Sequence, residues 1–284
     1  MRAKALIPVA LMLAAWQAQA GEKVDLRFKF SPGEKIVYQM VMEQSMEAET
    51  ELAPGMIQKV LIKMDMDMYQ KTVAADDAGA GLEVGYTRVD ATMGVGGQPM
   101  PVPGADELTR VKLTMRMTPR GRISDAKIAG ADKVGEKARK MAEEMKKSLA
   151  QGTMIFPDKA IEVGETWSHK QKLPANIEGA KNLMMDVESQ YKLVGMEKHR
   201  GKPCAKIQAT VKLSLHGKAV QNNIPLQADL EGQGSSVNLF SPELGRSLQT
   251  RTRMDIGGTV TATAQGRDIK TSLKIGTTAQ MDVK

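Results

Sequence analysis

The chain has 284 residues, is 42% hydrophobic but only 4% aromatic, and carries 40 lysines and arginines against 33 acids, for a net charge of +7. A chain of this length can bury a sizeable core without cross-links, and its single cysteine, Cys204, excludes an internal disulfide. Basic and acidic residues are interleaved and no basic cluster alternates with aromatics, so nucleic acid is not expected as a partner.

Residues 1–20 have the form of a secretory signal peptide. Arg2 and Lys4 supply the positive start, Ala5–Ala15 is an apolar stretch interrupted only by Pro8, and Ala18-Gln19-Ala20 is an A-x-A cleavage site. The stretch is too short to anchor in a bilayer. Cleavage after Ala20 leaves an expected chain starting at Gly21, with the charge lowered from +7 to +5 by the loss of Arg2 and Lys4. The residue directly after the cleavage site is Gly21 and not a cysteine, so no lipid-modified N-terminus is expected. No later stretch reaches membrane-spanning length, and the expected address is periplasmic or secreted.

Period-two alternation then dominates. In Lys35–Met46 the apolar positions are Ile36, Tyr38, Met40, Met42 and Met46. In Lys59–Ala74 they are Val60, Ile62, Met64, Met66 and Met68, with Lys59, Lys63, Asp65, Asp67 and Lys71 opposite. Leu82, Val84 and Tyr86 alternate before the phase shifts to Val89, Ala91, Met93 and Val95, which predicts a bulge near Thr87–Arg88. Gly96–Asp106 holds three prolines and is expected to be a loop. Val111, Leu113, Met115 and Met117 then line one face of a strand.

Ala131–Ala150 is the one convincing helix. Val134, Ala138, Met141, Met145 and Leu149 recur at steps of three and four, which places them on one face. Asp132 is the expected N-cap, Lys146 and Lys147 suit the negative end of the dipole, and Gly152 is placed to stop the helix. The narrow stripe needs a surface to lie on, and it lacks the Trp, Phe and Leu of a membrane-surface helix. A fixed cover and a mobile lid both fit the pattern.

Strands resume with Ile161–Lys172, then a loop at Asn176–Asn182 and a strand over Leu183–Val194. His199-Arg200-Gly201-Lys202 reads as a hairpin turn, and the next strand carries Ile207, Ala209, Val211, Leu213 and Leu215 on one face. Ile224–Leu230 follows, with further strands near Ser235–Phe240, Ser247–Ile256, Thr259–Gln265 and Ile269–Val283. Each has one polar face, as in antiparallel sheets wet on one side. The fold class is therefore mainly β with one central helix (α+β). The strands imply a long curved antiparallel sheet or half-barrel, with the helix of about 131–150 on its concave side. After the signal peptide of 1–20, residues 21–284 are expected to form a single β-rich domain. It comprises a strand block at 24–118, a helix region at 119–160 and a strand block at 161–283.

Four short segments carry a family resemblance: Thr118-Pro119-Arg120-Gly121-Arg122-Ile123, Phe156-Pro157, Val163-Gly164-Glu165-Thr166-Trp167 and Phe240-Ser241-Pro242-Glu243-Leu244-Gly245-Arg246. Their order and spacing, over most of the chain after residue 20, resemble the exported bacterial proteins of the DUF6263 type, a family of unknown function. The resemblance implies an exported β-rich protein and supplies no catalytic residues. The architecture is also similar, at the level of fold alone, to the periplasmic lipoprotein-carrier half-barrels with a helical plug. Physically, Gly121 and Gly164 suit turns that need positive φ, and Trp167 suits a core anchor beside Phe156.

No chemistry is legible. His169, His199 and His216 are not spaced as metal ligands, and His169 and His216 are expected on outward strand faces. No nucleophile elbow, phosphate loop or Cys–His arrangement occurs. Asp65 and Asp67 share a strand face, but Lys63 and Lys71 beside them make a solvated charged face the better reading. The protein is not expected to be an enzyme or to use a cofactor or metal. An unrecognised hydrolase, its site assembled from distant residues, is the weakest alternative.

Methionine is the unusual feature, with 21 in the sequence. Three readings fit: a core filled by flexible side chains, an adaptable apolar cavity for an acyl chain, or a Cu(I) site of soft thioethers. The alternation points the methionines inward, away from the exposed clusters that copper favours. The candidate ligand-binding set is Met40, Met42, Met64, Met66, Met68, Met115, Met117, Met141 and Met145, forming a concavity for a lipid or other hydrophobic ligand or for an envelope partner. The main alternative is an interaction module of the envelope with a packed core.

Overall fold

The computed structural model describes residues 23–95, 98–174, 183–221, 224–264 and 266–284. The first strands are β1 (Lys35–Thr50), β2 (Ile57–Asp76), β3 (Gly79–Val95), β4 (Gln98–Pro101), β5 (Lys112–Met117) and β6 (Ile123–Ala129). A helix, α1 (Glu136–Gly152), separates them from β7 (Thr166–Pro174), β8 (Met184–His199), β9 (Lys202–Gln221), β10 (Ile224–Ser241), β11 (Arg246–Ala264) and β12 (Arg267–Val283). All twelve strands join one antiparallel sheet in the order β6-β5-β3-β2-β1-β12-β11-β10-β9-β8-β7, with β4 paired to the end of β3. The sheet is thus two meanders fused where β1 pairs β12, from Tyr38↔Val283 to Thr50↔Thr271. It is curved and open, and the chain between its two edge strands is the helix segment.

Alternation assigns the faces. Even residues of β1 and β2, odd residues of β8, β9 and β12, and even residues of β11 fall on one inner, apolar face by register. Lysines, arginines and acids fall on the other. Bulges keep this parity correct where the strands bend. Asp67 pairs Arg88 while Met68 pairs Tyr86, which leaves Thr87 as the extra residue, at the expected place. Further shifts at Leu193/Gly195 and Leu239/Phe240 bend the second meander.

One half of the inner face is covered. Ala138 and Ala142 of α1, with Val134 just before it, pack with Ile36, Tyr38, Met66, Met68, Leu82, Leu113 and Met115 in the largest core cluster. The segment from Val24 to Glu34 crosses the same half as a strap. Its backbone bonds Ile161, Pro119, Gly245 and Thr72 in turn. Phe28, Phe156 and Phe240 meet beneath the strap with ring centroids 4.7 to 5.5 Å apart. Trp167 stacks on Tyr191 at 5.3 Å beside this aromatic cluster, which also contains Phe156, and donates its indole hydrogen to the Ile155 carbonyl.

The family-like turns anchor the strap. Gly121 has φ of 90°, and a Cβ there would stand 2.2 Å from the Met154 carbonyl oxygen. Arg120 donates to Asp25 and to the carbonyls of Leu26 and Asp158. Gly245 leaves no room for a side chain against the Lys29 backbone, and Arg246 pairs with Glu34 at 2.6 Å.

Several boundaries differ from expectation. Residues 131–133 form a separate 3-10 turn, and α1 starts at Glu136. The N-cap is Gly135, not Asp132, and its amide is satisfied by the Glu107 carboxylate at 2.8 Å. Gly152 closes the helix as its last residue, with extended backbone from Thr153. The 96–106 stretch contains β4, and the expected helix region contains β6, whose alternation is broken by Asp125 at φ 54°. Ile161 makes only a single bridge to Val24, and β7 begins later. The two strands expected over 224–240 are the single β10, and those over 247–265 belong to the single β11. The hairpin at Arg200-Gly201 is as expected, with φ of 49° and 77°. The signal peptide and the 176–182 loop lie outside the described residues.

Candidate functional site

The strands outrun their cover. β8 to β12 have 16 to 20 residues each, or roughly 55–65 Å at ~3.3 Å per residue. The helix has 17 residues, or about 25 Å. Beyond the strap and helix, the inner face continues as rows of apolar side chains. One row runs Val187, Leu213, Gly232, Ile256, Ile275 and Met46 across six strands. The next runs Met185, Leu215, Leu230, Gly258, Leu273 and Ala48. Leu215 and Leu230 are buried within this patch, Met185, Ile256 and Leu273 are half-buried, and Met46 is 37% exposed. Two glycines shape it. A Cβ on Gly232 would stand 2.8 Å from the Ile256 side chain, and one on Gly234 2.9 Å from that of Met254, so these side chains lie over bare backbone.

The candidate methionines sit mostly on the covered half. Met66, Met68, Met115 and Met117 are buried in the core. Met40, Met64, Met141 and Met145 pack against it, partly buried. Met42 is half-exposed, opposite Met64 and Ala279, where the cover ends. The structure therefore brings eight of the nine together as one packed cluster. The uncovered rows beyond Met42 were missed because Gly232-Gln233-Gly234 and Gly257-Gly258 read as strand ends. Unbroken alternation through Leu226, Ala228, Leu230 and Ile256, Val260 was the signal that could have found them.

The outer face is charged and shallowly concave. A trough of about 1350 Å³ is lined by Lys170, Lys172, Lys212 and Lys274 alternating with Asp186, Glu188, Glu231 and Asp255. Lys170 pairs with Glu188 and Lys172 with Asp186 across the β7–β8 ladder. Asp65 and Asp67 also lie on this face. Both hydrogen-bond Arg88, which additionally pairs with Asp90, and Lys284 reaches Asp67 at 2.6 Å. The Arg88 guanidinium holds the Asp65 carboxyl below the usual range, and Lys284 followed by Arg88 does so for Asp67. They are ion-paired carboxylates, unsuited to proton transfer near neutrality.

His216 lies outward beside Asp229 at 2.6 Å, as expected. His169 does not: it pairs Ser189 on the inner face, next in parity to Trp167. The expected outward placement of His169 fails because it lies two residues from Trp167 in an unbroken ladder, and so takes the same inner face as that core-facing ring. Cys204 is fully buried and burial pushes its thiol up, away from a reactive thiolate. Among the described residues no three His, Cys, Asp or Glu side chains group as a metal site, and no helix is long and apolar enough to cross a membrane.

Residues 141–266 match the DUF6263 family model. The match covers α1 from Met141 to the end of β11, and DUF6263 is a family of unknown function. It bears out the resemblance carried by the Val163–Trp167 and Phe240–Arg246 turns, which fall inside it. No curated protein matches the chain by sequence. Among solved structures, lipovitellin, in a study of its lipid–protein interactions, superposes with a TM-score of 0.52 at 12% identity over 90% of this chain. The chain spans only 25% of the lipovitellin chain, and the likeness is one of fold. A LolA superfamily protein from Nitrosomonas europaea gives a TM-score of 0.13 at 10% identity, over 90% of this chain and 88% of that one. OccK11 (OpdR) of Pseudomonas aeruginosa gives 0.20 at 7% identity, over 91% of this chain and all of that one. Scores this low add nothing to the argument.

Proposed function

We propose that this is an exported, non-enzymatic protein that holds an apolar, lipid-like ligand along the uncovered half of its inner face. The observation that carries the reading is the pair of apolar rows from Val187 to Met46 and from Met185 to Ala48, which continue past the strap and α1, the elements that cover the sheet among the described residues. Leu213, Ile256, Leu273 and Ile275 are only half-buried and Met46 is exposed, so part of this apolar stretch meets water at a cost, and an acyl chain laid along the strands would remove it from solvent. Methionines at the margin, Met42, Met46, Met185 and Met254, can reshape around chains of different length. The lipovitellin likeness supports the reading through fold, since that structure was studied for its lipid–protein interactions. The Ala18-Gln19-Ala20 site supports export to the periplasm or beyond.

The test is native mass spectrometry of the purified protein before and after organic extraction, together with uptake of N-phenyl-1-naphthylamine. A lipid-sized adduct, and probe binding weakened at least tenfold by Ile256→Asp with Ile275→Asp, are expected. A clean mass with no probe uptake would refute the proposal. That result would favour an envelope interaction module, which the burial of Met66, Met68, Met115 and Met117 in a packed core already suits.

A further inference from the structure

The hairpins at one end of the sheet display large apolar side chains to solvent. The β1–β2 turn exposes Leu52 by 73%, Met56 by 70% and Ile57 by 49%. The β9–β10 hairpin exposes Val220 by 56% and Ile224 by 40%. Register places both at the same end, because Thr50 pairs Thr271, Thr271 pairs Val260, Val260 pairs Ala228 and Ala228 pairs Gly217. Hairpins at the opposite end are built from Asp76-Asp77-Ala78, Arg200-Gly201 and Glu243-Leu244-Gly245, which is ordinary turn chemistry.

The β1–β2 turn is held in shape from within. Ala53 and Met56 donate their amides to the Thr50 and Ala53 carbonyls, and the Glu49 carboxylate accepts the Gly55 amide at 2.8 Å. The backbone is satisfied while Leu52 and Met56 point away from the protein, so the fold presents them without using them. We infer that this end of the sheet docks on a lipid bilayer, with Leu52 and Met56 of the β1–β2 turn, and Val220 and Ile224 of the β9–β10 hairpin, entering the headgroup region.

Three features select a bilayer over a protein. The exposed apolar residues stand on two separate hairpins, β1–β2 and β9–β10, with β11 and β12 between them in the sheet, which suits a fluid surface better than a single shaped partner. Arg267 and Lys270 stand beside the β1–β2 turn, where the Glu51 amide bonds the Lys270 carbonyl, and Lys218 flanks Val220. These cations can meet anionic headgroups; of the acids near them, Asp268 is bonded to Thr263 and Glu49 to the Gly55 amide, which leaves Glu51 beside Lys270. Finally, the tips are continuous with the proposed ligand face, since Ile224 shares the inner parity of Leu226, Ala228 and Leu230. A chain leaving the bilayer at the tips would pass directly onto that face. The inference rests on the proposed ligand face only through this last point.

The test uses the purified protein carrying Leu52→Cys labelled with an environment-sensitive fluorophore. Cys204 is buried and will not compete for the label. Vesicles of phosphatidylethanolamine with phosphatidylglycerol should shift its emission to the blue, and a label at Asp77→Cys, at the opposite end, should not respond. Vesicle co-sedimentation of the unlabelled protein should weaken about tenfold for each of Leu52→Ser and Met56→Ser, with an unchanged circular dichroism spectrum. No shift at position 52, an equal shift at position 77, or a shift that follows protein concentration without vesicles would overturn the inference, the last by showing a second copy as the partner. Uptake of N-phenyl-1-naphthylamine separates the two proposals. Vesicle docking without uptake leaves docking standing and removes the ligand face, whereas uptake without docking does the reverse.

Discussion

Met66 distinguishes a methionine core from a methionine-lined cavity. It is 1% exposed, pairs Met40 on one side and Val89 on the other, and lies at the centre of the largest core cluster. Truncation to alanine there removes buried methylenes and sulfur and leaves a cavity that a sheet on one side and a helix on the other can collapse only in part. The expected cost is about 2–5 kcal/mol. For a domain of this size that lowers the melting temperature by roughly 5–15 °C. Met66→Leu conserves volume and should cost under about 1.5 kcal/mol. Met46→Ala, on the uncovered face, should stay within about 0.5 kcal/mol of the parent. Guanidinium denaturation, with equal slopes for the variants, measures all three. If Met66→Ala were as harmless as Met46→Ala, the packing attributed to this cluster would be wrong.

Three further outcomes are expected. Gly258 has φ of 149°, and a Cβ would stand 2.1 Å from the Asp229 carbonyl oxygen, so Gly258→Ala should cost more than about 2 kcal/mol; a neutral melting curve would refute this. Folded-state carboxyl pKa values of Asp65 and Asp67 lie below their unfolded values, so their contribution is present above about pH 4 and is lost as pH falls through the depressed values. Denaturant midpoints between pH 7 and pH 3 should therefore fall less steeply for Asp67→Asn than for the parent, and parallel curves would contradict the assignment. Cys204 is fully buried with its thiol pushed up by burial, so its reaction with a disulfide reagent should wait for unfolding; rapid labelling of folded protein would show a local opening at the start of β9.

The strands were legible wherever one residue in two had to be apolar, and so was the bulge at Thr87, because a phase shift in the pattern has no other cheap cause. Gly232, Gly234, Gly257 and Gly258 misled for a physical reason. Glycine marks a turn in local sequence, yet here Gly232 and Gly234 clear space for Ile256 and Met254, and Gly258 for the Asp229 backbone, on neighbouring strands, contacts that exist only after pairing. Asp125 hid β6 in a similar way, since one left-handed residue breaks the alternation without ending the strand. The helix start moved because Glu107, remote in sequence, satisfies the Gly135 amide more directly than Asp132 could. As for the candidate site, alternation showed which face was apolar. It could not show how far the strap and α1 reach along it, and that distance separates the packed methionines from the open rows.

The pairing of β1 with β12 has a consequence for how the protein comes to exist. The two strands in the middle of the sheet are the first and the last in chain order among the described strands. Each meander can assemble from neighbours in sequence, but the joint between them is a contact of very high order, and such contacts form slowly. Until β12 arrives, β1 offers an unpaired edge studded with Met40, Met42 and Met46, the kind of surface on which chains aggregate. The slower that joint closes, the longer the edge stays open, so shielding β1 during folding is expected to raise the yield of folded protein.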